Sequence, residues 1–285
     1  MTVASTRLVR VGHSPDPDDA FMFYGIAAGK VDTRGFRIEQ VLADIESLNR
    51  RALAGELEVT AVSVHAYAHL ADRYALMPCG ASMGEGYGPM VVARSPIPVR
   101  ELATRTIDVP GTLTSAFLAL RLCLGREFPY RVVPFDRILD AVSAGEADAG
   151  LIIHEGQLTY TSHRLEKILD LGVWWAERTG GLPLPLGANA VRRDLGKESM
   201  GALTAILGES IAYGLSHREE ALAYALDFGR GLDGELADRF VGMYVNDLTR
   251  DYGDRGRRAV RRFFEEAAAA GLVPAVPALD FVDGR

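Results

Sequence analysis

The chain has 285 residues, 48% hydrophobic and 24% charged, with 31 Lys and Arg against 38 Asp and Glu for a formal net charge of −7. This composition excludes a disordered chain, allows one large or two modest domains, and disfavours a surface for polyanions such as nucleic acid. The densest basic stretch, Arg255, Arg257, Arg258, Arg261 and Arg262, is spaced as a solvated helix face.

In chain order, strand-like and helix-like segments alternate. Leu8–Val11 is a short β-rich run ending at the turn Gly12-His13-Ser14-Pro15-Asp16-Pro17-Asp18-Asp19. Ala20–Ala28 then reads as a helix, with Asp18 or Asp19 placed to cap it. Phe36–Val41 alternates as a strand, 44–54 carries Ile45, Leu48 and Leu53 near helical spacing, and Gly55 stops it. Val59–Ser63 is a strand and Ala66–Leu70 a helix, a β-α-β-α-β order that implies parallel strands under helices. A glycine-rich connector at 83–89 opens a second α/β series: strand Met90–Ala93, strand 106–110, helix 114–124, strand 131–134, helix 138–144 and strand 150–154. The connector Leu182-Pro183-Leu184-Pro185-Leu186-Gly187 leads into Ala188–Arg192, and 199–272 is helical by pattern.

Two connectors bracketing an inner α/β series predict a discontinuous outer domain, 1–92 with 192–285, and an inserted domain, 93–191. Both crossings would form a hinge beside an interlobe cleft, a common place for a small-molecule site. Cys79 and Cys123 stand far apart without CxxC spacing, so neither a disulfide framework nor a zinc site is expected. No signal-peptide pattern and no apolar run of about 20 residues occurs, so we expect a cytoplasmic protein with no membrane segment.

Motifs for nucleotides, zinc hydrolysis and serine hydrolysis (GxGxxG, the P-loop, HExxH, GxSxG) are absent, and none of the three lysines ends a strand. His154 ends the run Gly150–Ile153, where ligands collect in parallel sheets, and an imidazole there suits general-base work. Backbone hydrogen bonding at a strand terminus is the competing account. His13 also follows a strand, with a capping or substrate role equally open. His65 and His69 are four apart, but no carboxylate or cysteine joins them in a metal motif, and His163 and His217 read as surface residues. The turn bearing Asp16, Asp18 and Asp19 lacks the glycine and terminal Glu of a calcium loop, so a rigid capping turn is the simpler reading. Gly111–Ser115 follows a strand and opens a helix, so amides and the hydroxyls of Thr114 and Ser115 converge where a carboxylate could be held. Ser63 has the same placement in the other lobe, and Asn49 faces neither core nor cap in the pattern, which leaves it for the cleft. Trp174 and Trp175 fit either core packing or an aromatic pocket.

Several segments together resemble one family. Ser14-Pro15-Asp16-Pro17-Asp18-Asp19-Ala20-Phe21 is similar to its Ser-Pro-Cys-Pro-Asn-Asp-Thr-Phe signature. Ile152–Gly156 with Thr159-Tyr160, Asp170–Trp175 and Gly181–Gly187 are similar to its later blocks, in order over nearly the whole chain. The family is 1,4-dihydroxy-6-naphthoate synthase of the futalosine route to menaquinone; the related chorismate dehydratase shares the fold but lacks the His-Glu block. The resemblance implies an α/β, two-lobed fold like type II periplasmic binding proteins, with two mixed sheets flanked by helices and two hinge crossings. It implies a lyase that uses neither metal nor organic cofactor, with His154 as catalytic base. It also implies substrate contacts at Asn49, Ala61, Val62, Ser63, Thr114 and Ser115. Asp16, Asp18 and Ala20 stand where the family has Cys, Asn and Thr, and the added carboxylates would repel a substrate carboxylate unless they face away.

Overall fold

The computed structural model describes residues 7–125, 127–228 and 233–282. The chain divides into two compact units, one of residues 1–82, 187–253 and 277–285, the other of 83–186 and 254–276.

In the first unit, β1 (Arg7–His13) lies parallel to β2 (Phe36–Leu42) on one side and to β3 (Val59–Ser63) on the other. The order that alternating strand and helix patterns predict is therefore present, with α1 (Pro17–Ala27) and α2 (Ile45–Ala54) between the strands. Beyond its acidic first turn the helix α1 is apolar on all sides, and Phe21, Met22 and Phe23 are buried. It can be so because α8 (Lys197–Ser216), α9 (Arg218–Leu226) and α10 (Gly234–Tyr244) pack around it. By contrast, α2 buries one stripe containing Leu48, Asn49 and Ala52. Its start is capped by Asp44, which accepts from the Ser47 amide at 3.0 Å, and Gly55 ends it at φ 72°. Two short helices, α3 (Val64–Tyr67) and α11 (Asp247–Arg250), complete this unit.

The sheet is mixed, not parallel throughout. A long strand, β11 (Leu184–Arg192), runs antiparallel to β3 and to the three-residue β4 (Tyr74–Leu76), giving the order β2-β1-β3-β11-β4, with β5 (Ser82–Gly84) paired to β11 off this path. The Leu-Pro-Leu-Pro-Leu segment reads as a connector in sequence, yet from Leu184 it is strand. Pro185 is accommodated because the ladder to β3 begins only at Gly187, so its missing N–H breaks no bond there. At the opposite end of the strands, Glu58 accepts from the Arg10 amide and guanidinium at 2.9–3.0 Å and pairs with Arg192 at 3.2 Å, tying β1, β3 and β11 together.

The second unit holds β6 (Met90–Ala93), β7 (Ile107–Val109), β8 (Tyr130–Val132), β9 (Ala149–Ile152) and β10 (Glu166–Asp170) in the order β10-β6-β9-β7-β8. Here β7 is parallel to β8 and β9, whereas β6 is antiparallel to β9 and β10. Helices α4 (Ser115–Leu124), α5 (Ile138–Ala144), α6 (Gly156–Thr159) and α7 (Leu171–Thr179) belong to this unit. The fully buried carboxylate of Asp108 on β7 takes two hydrogen bonds of 2.8 Å from Arg131 on β8. The glycine-rich connector is tightly packed: a Cβ on Gly172, at the start of α7, would sit 1.9 Å from the Tyr87 carbonyl.

The last helix, α12 (Gly253–Ala269), departs from the sequence expectation that assigned 192–285 to the outer domain. From Asp254 onward it belongs to the second unit. Phe263 meets Trp175 edge to face at 5.4 Å, Glu266 pairs with Arg178 at 2.6 Å, and Arg255 pairs with Glu85. Its buried stripe, Ala259, Val260, Phe263, Phe264 and Ala267, leaves the arginines on the other face, as their spacing predicts. Among the described residues, no helix is long and apolar enough to cross a membrane.

Trp175 anchors this packing: it is fully buried and its indole donates to the Pro183 carbonyl at 3.0 Å. Trp175→Ala is expected to lower the unfolding free energy by about 3–5 kcal/mol, read from urea denaturation.

Candidate active site

Ligands collect at the carboxyl ends of parallel strands, where helices begin and their amides and side chains converge. In the first unit, Gly12 pairs with Thr60, so β1 and β3 end at the same edge of the sheet. At that edge β3 contributes Ala61, Val62 and Ser63, all buried and laddered against Asn189, Ala188 and Gly187. The Asn49 side chain is pinned there from α2. Its Oδ1 accepts from the Ser63 amide at 2.8 Å and its Nδ2 donates to the Ser63 hydroxyl at 2.9 Å. Asn49 is thus fully buried and holds the strand end, which the helical pattern alone did not show.

The acidic turn forms the end of β1. The helix starts at Pro17, so Asp16 is the N-cap residue, without a side-chain capping bond, and Asp18 and Asp19 lie in the first turn. This differs from capping by Asp18 or Asp19. Instead, Asp19 reaches back and accepts from the Ser14 amide at 2.7 Å. All three carboxylates are sequestered, at 0%, 7% and 8% exposure for Asp16, Asp18 and Asp19. Burial, reinforced by the neighbouring Asp16 charge, pushes Asp19 up to about 7, against the opposing pull of the Ser14 amide. His13 is also buried, stacked on Phe23 at 4.4 Å, with Nδ1 3.0 Å from the Ser14 carbonyl and Nε2 3.0 Å from the Gln40 amide oxygen position. Burial lowers its pKa, so the neutral ring is favoured despite those hydrogen bonds and the nearby Asp16.

In the second unit, β7 and β9 are paired in parallel, Asp108 opposite Gly150, so the segments following them leave the sheet at one edge. From β7 comes the start of α4. The Thr114 hydroxyl donates to the Gly111 carbonyl at 2.9 Å and accepts from the Phe117 amide at 3.1 Å, the geometry of an N-cap. The Ser115 hydroxyl donates to the Leu186 carbonyl at 2.6 Å. Both hydroxyls therefore build the helix start, and what such a start offers an anion is its first-turn amides and dipole. From β9 comes His154, two residues beyond the strand, in the left-handed region at φ 54°. Its ring meets Phe135 edge to face at 4.8 Å, and its carbonyl accepts from the Gln157 amide at 3.2 Å. A non-glycine residue in this region is uncommon, and such strain concentrates at functional sites.

The remaining candidates resolve simply. Trp175 is core, and Trp174 is partly buried with Arg178 5.8 Å from its ring. The His65 and His69 rings lie 6.2 Å apart and tilted, with His65 buried and His69 exposed. His163 is partly buried, and His217 is exposed and stacked on Tyr213 at 3.9 Å. Three residues that the pattern did not single out shape these sites: Gln40, Phe135 and Ser14. Ser14 alone carried a signal, its place in the Ser-Pro-Asp-Pro turn; Gln40 and Phe135 reach their partners through tertiary packing.

Comparison with known proteins gives a family model, described as menaquinone biosynthesis, matching residues 9–269. A 1,4-dihydroxy-6-naphthoate synthase of Thermus thermophilus is 45% identical over 274 residues, covering 96% of this chain and 99% of the relative. A crystal structure of an Archaeoglobus fulgidus protein is 49% identical with TM-score 0.90, covering 95% of this chain and all of that one. An alkanesulfonate-binding protein of Xanthomonas axonopodis pv. citri, solved with MOPS, is 12% identical with TM-score 0.74, covering 98% of this chain and 99% of that one. That likeness is one of fold, and the fold is periplasmic-binding-protein-like.

Two outcomes follow from the buried polar groups. Asn49→Ala strands the Ser63 amide and should lower the unfolding free energy by about 1–3 kcal/mol in chemical denaturation. Because Asp19 holds its proton to about 7 when folded but to the ordinary carboxylate value of 3.8 when unfolded, the folded state binds more protons between those values. Its contribution to stability is therefore greatest below pH 4 and is lost as the pH rises toward 7. Asp19→Asn keeps the acceptor for Ser14 and should flatten this dependence, raising the melting temperature at pH 8 relative to pH 5 compared with the parent protein, by calorimetry.

Proposed function

Because the chain belongs to the menaquinone biosynthesis family, we propose that it converts cyclic dehypoxanthine futalosine into 1,4-dihydroxy-6-naphthoate, releasing a three-carbon fragment as dihydroxyacetone. The reading is of a cytoplasmic lyase acting on a small molecule. The observation that carries it is the 45% identity to the Thermus thermophilus synthase over nearly the full length of both chains. The geometry of the His154 segment supports it as well.

In this reading His154 is the general base. It removes a proton from the substrate, the carbon–carbon bond breaks with expulsion of the fragment, the proton is returned so that the fragment leaves as neutral dihydroxyacetone, and aromatisation of the new ring drives the step forward. The left-handed backbone after β9, Phe135 against the ring and the bond from Gln157 fix where the imidazole stands. Fixing it matters, since a general base contributes only about 10²–10⁴-fold and positioning must supply much of the remainder. The first-turn amides of α4 hold the substrate's carboxylate, with Thr114 and Ser115 keeping that helix start in register through their bonds to Gly111, Phe117 and Leu186. Asn49, Ala61, Val62 and Ser63 are the further substrate contacts of this reading. Among them Asn49 acts by holding Ser63, whose amide and hydroxyl it engages.

The test is incubation of the purified protein with cyclic dehypoxanthine futalosine, with product identified by mass spectrometry and chorismate as a parallel substrate. Formation of 1,4-dihydroxy-6-naphthoate is expected; its absence, or dehydration of chorismate instead, overturns the reading. His154→Ala should lower kcat by about 10²–10⁴-fold while leaving KM within a few-fold. Full turnover in that variant would remove His154 as the base.

A further inference from the structure

The acidic turn at the end of β1 contains a group that neither its packing nor the proposed chemistry yet explains. Both backbone polar groups of Ser14 are clamped: its N–H donates to Asp19 Oδ2 at 2.7 Å, and its carbonyl lies 3.0 Å from His13 Nδ1. His13 Nε2 lies 3.0 Å from Gln40 Oε1, so both ring nitrogens are engaged, and burial lowers the pKa of the ring. The ring is held in turn by stacking on Phe23 with an interplanar angle of 8°. Everything around Ser14 is therefore fixed except its own side chain. The Ser14 hydroxyl is 2% exposed and has no hydrogen-bond partner among the described residues.

A buried hydroxyl without a partner is costly and calls for an explanation. A rigidly held one at the carboxyl end of a strand, where ligands collect, is explained by a group that arrives with the ligand. The surroundings select the chemistry of that group. The Asp16 charge acts on both Asp19 and His13, the two side chains that clamp Ser14, so the site opposes an anion and suits a neutral hydroxyl, able to donate and to accept.

We propose that Ser14 Oγ is a substrate-contacting group that hydrogen-bonds a hydroxyl of the sugar-derived part of the substrate, and not its carboxylate. The inference rests on the lyase reading above and adds an orientation to it: the polyol portion lies against the acidic turn. It also gives the aspartates at 16 and 18 a consequence, since they exclude the substrate's carboxylate from this position.

The experiment compares the parent protein with Ser14→Ala on cyclic dehypoxanthine futalosine and on an analogue lacking one sugar hydroxyl, with thermal melting of both proteins. Ser14→Ala should lose about tenfold in kcat/KM, as expected for one hydrogen bond to substrate, with its melting temperature unchanged or raised. The deoxy analogue that matches Ser14 should be turned over equally by both proteins, because the hydrogen bond is then already gone. Unchanged kcat/KM in Ser14→Ala overturns the proposal. So does a tenfold loss that persists on every deoxy analogue, which would assign Ser14 to the carboxylate, and so does a lowered melting temperature, which would make the hydroxyl structural. A parent protein that turns over none of these substrates overturns the lyase reading itself, an outcome distinct from the other three.

Discussion

Parallel pairing of neighbouring strands is the constraint on which the sites depend. β1 with β3 in one unit, and β7 with β9 in the other, must each end at a common edge because parallel strands share a direction. Residues that are far apart in sequence, such as Ser14 and Ser63 or Thr114 and His154, are thereby gathered at one end of a sheet. The antiparallel strands β11 and β6 complete each sheet without adding a second such edge. The hydrophobic cores below then serve as rigid bases, and the candidate site residues sit on the short segments above them.

Those segments are rigid for polar reasons. Asn49 engages both the amide and the hydroxyl of Ser63, Thr114 both donates and accepts across its own helix start, and Asp19 with His13 holds both sides of the Ser14 peptide. Each is a short side chain that satisfies buried backbone groups which would otherwise be left unpaired. Several residues that look like ligand contacts in sequence thus also hold the backbone around them. In our proposal the substrate meets the α4 amides, the His154 imidazole, the Asn49 and Ala61–Ser63 segment and the Ser14 hydroxyl.

Much of this arrangement was legible in the sequence because period and punctuation agree there. The strand Met90–Ala93 and the helix Ile138–Ala144 have the boundaries that their apolar patterns predict, and Gly55 ends α2 as a left-handed cap. What escaped was decided by tertiary partners. β4 is three residues long, too short to show alternation, and is defined by its pairing with β11. Leu184–Leu186 reads as a proline-rich connector because nothing local shows where its ladder begins. Within the helical C-terminal stretch, the pattern cannot say which unit a helix will cover; for α12, Phe263 against Trp175 and Glu266 beside Arg178 decide it. The burial of Asn49 was hidden for the same reason, since its partner Ser63 lies fourteen residues away.

The left-handed backbone at His154 has a consequence for how this position tolerates change. Glycine and asparagine adopt that conformation with less strain than other residues, whereas β-branched residues are driven out of it. Two filters of different origin therefore act on one site, a conformational one on the main chain and a chemical one on the side chain. The replacements that the main chain accepts most readily carry no imidazole. With His154 as the base we propose, loss of the base and loss of the fold are separable here, and a lineage that abandoned the chemistry would be expected to pass through glycine or asparagine at 154 while the surrounding loop kept its path.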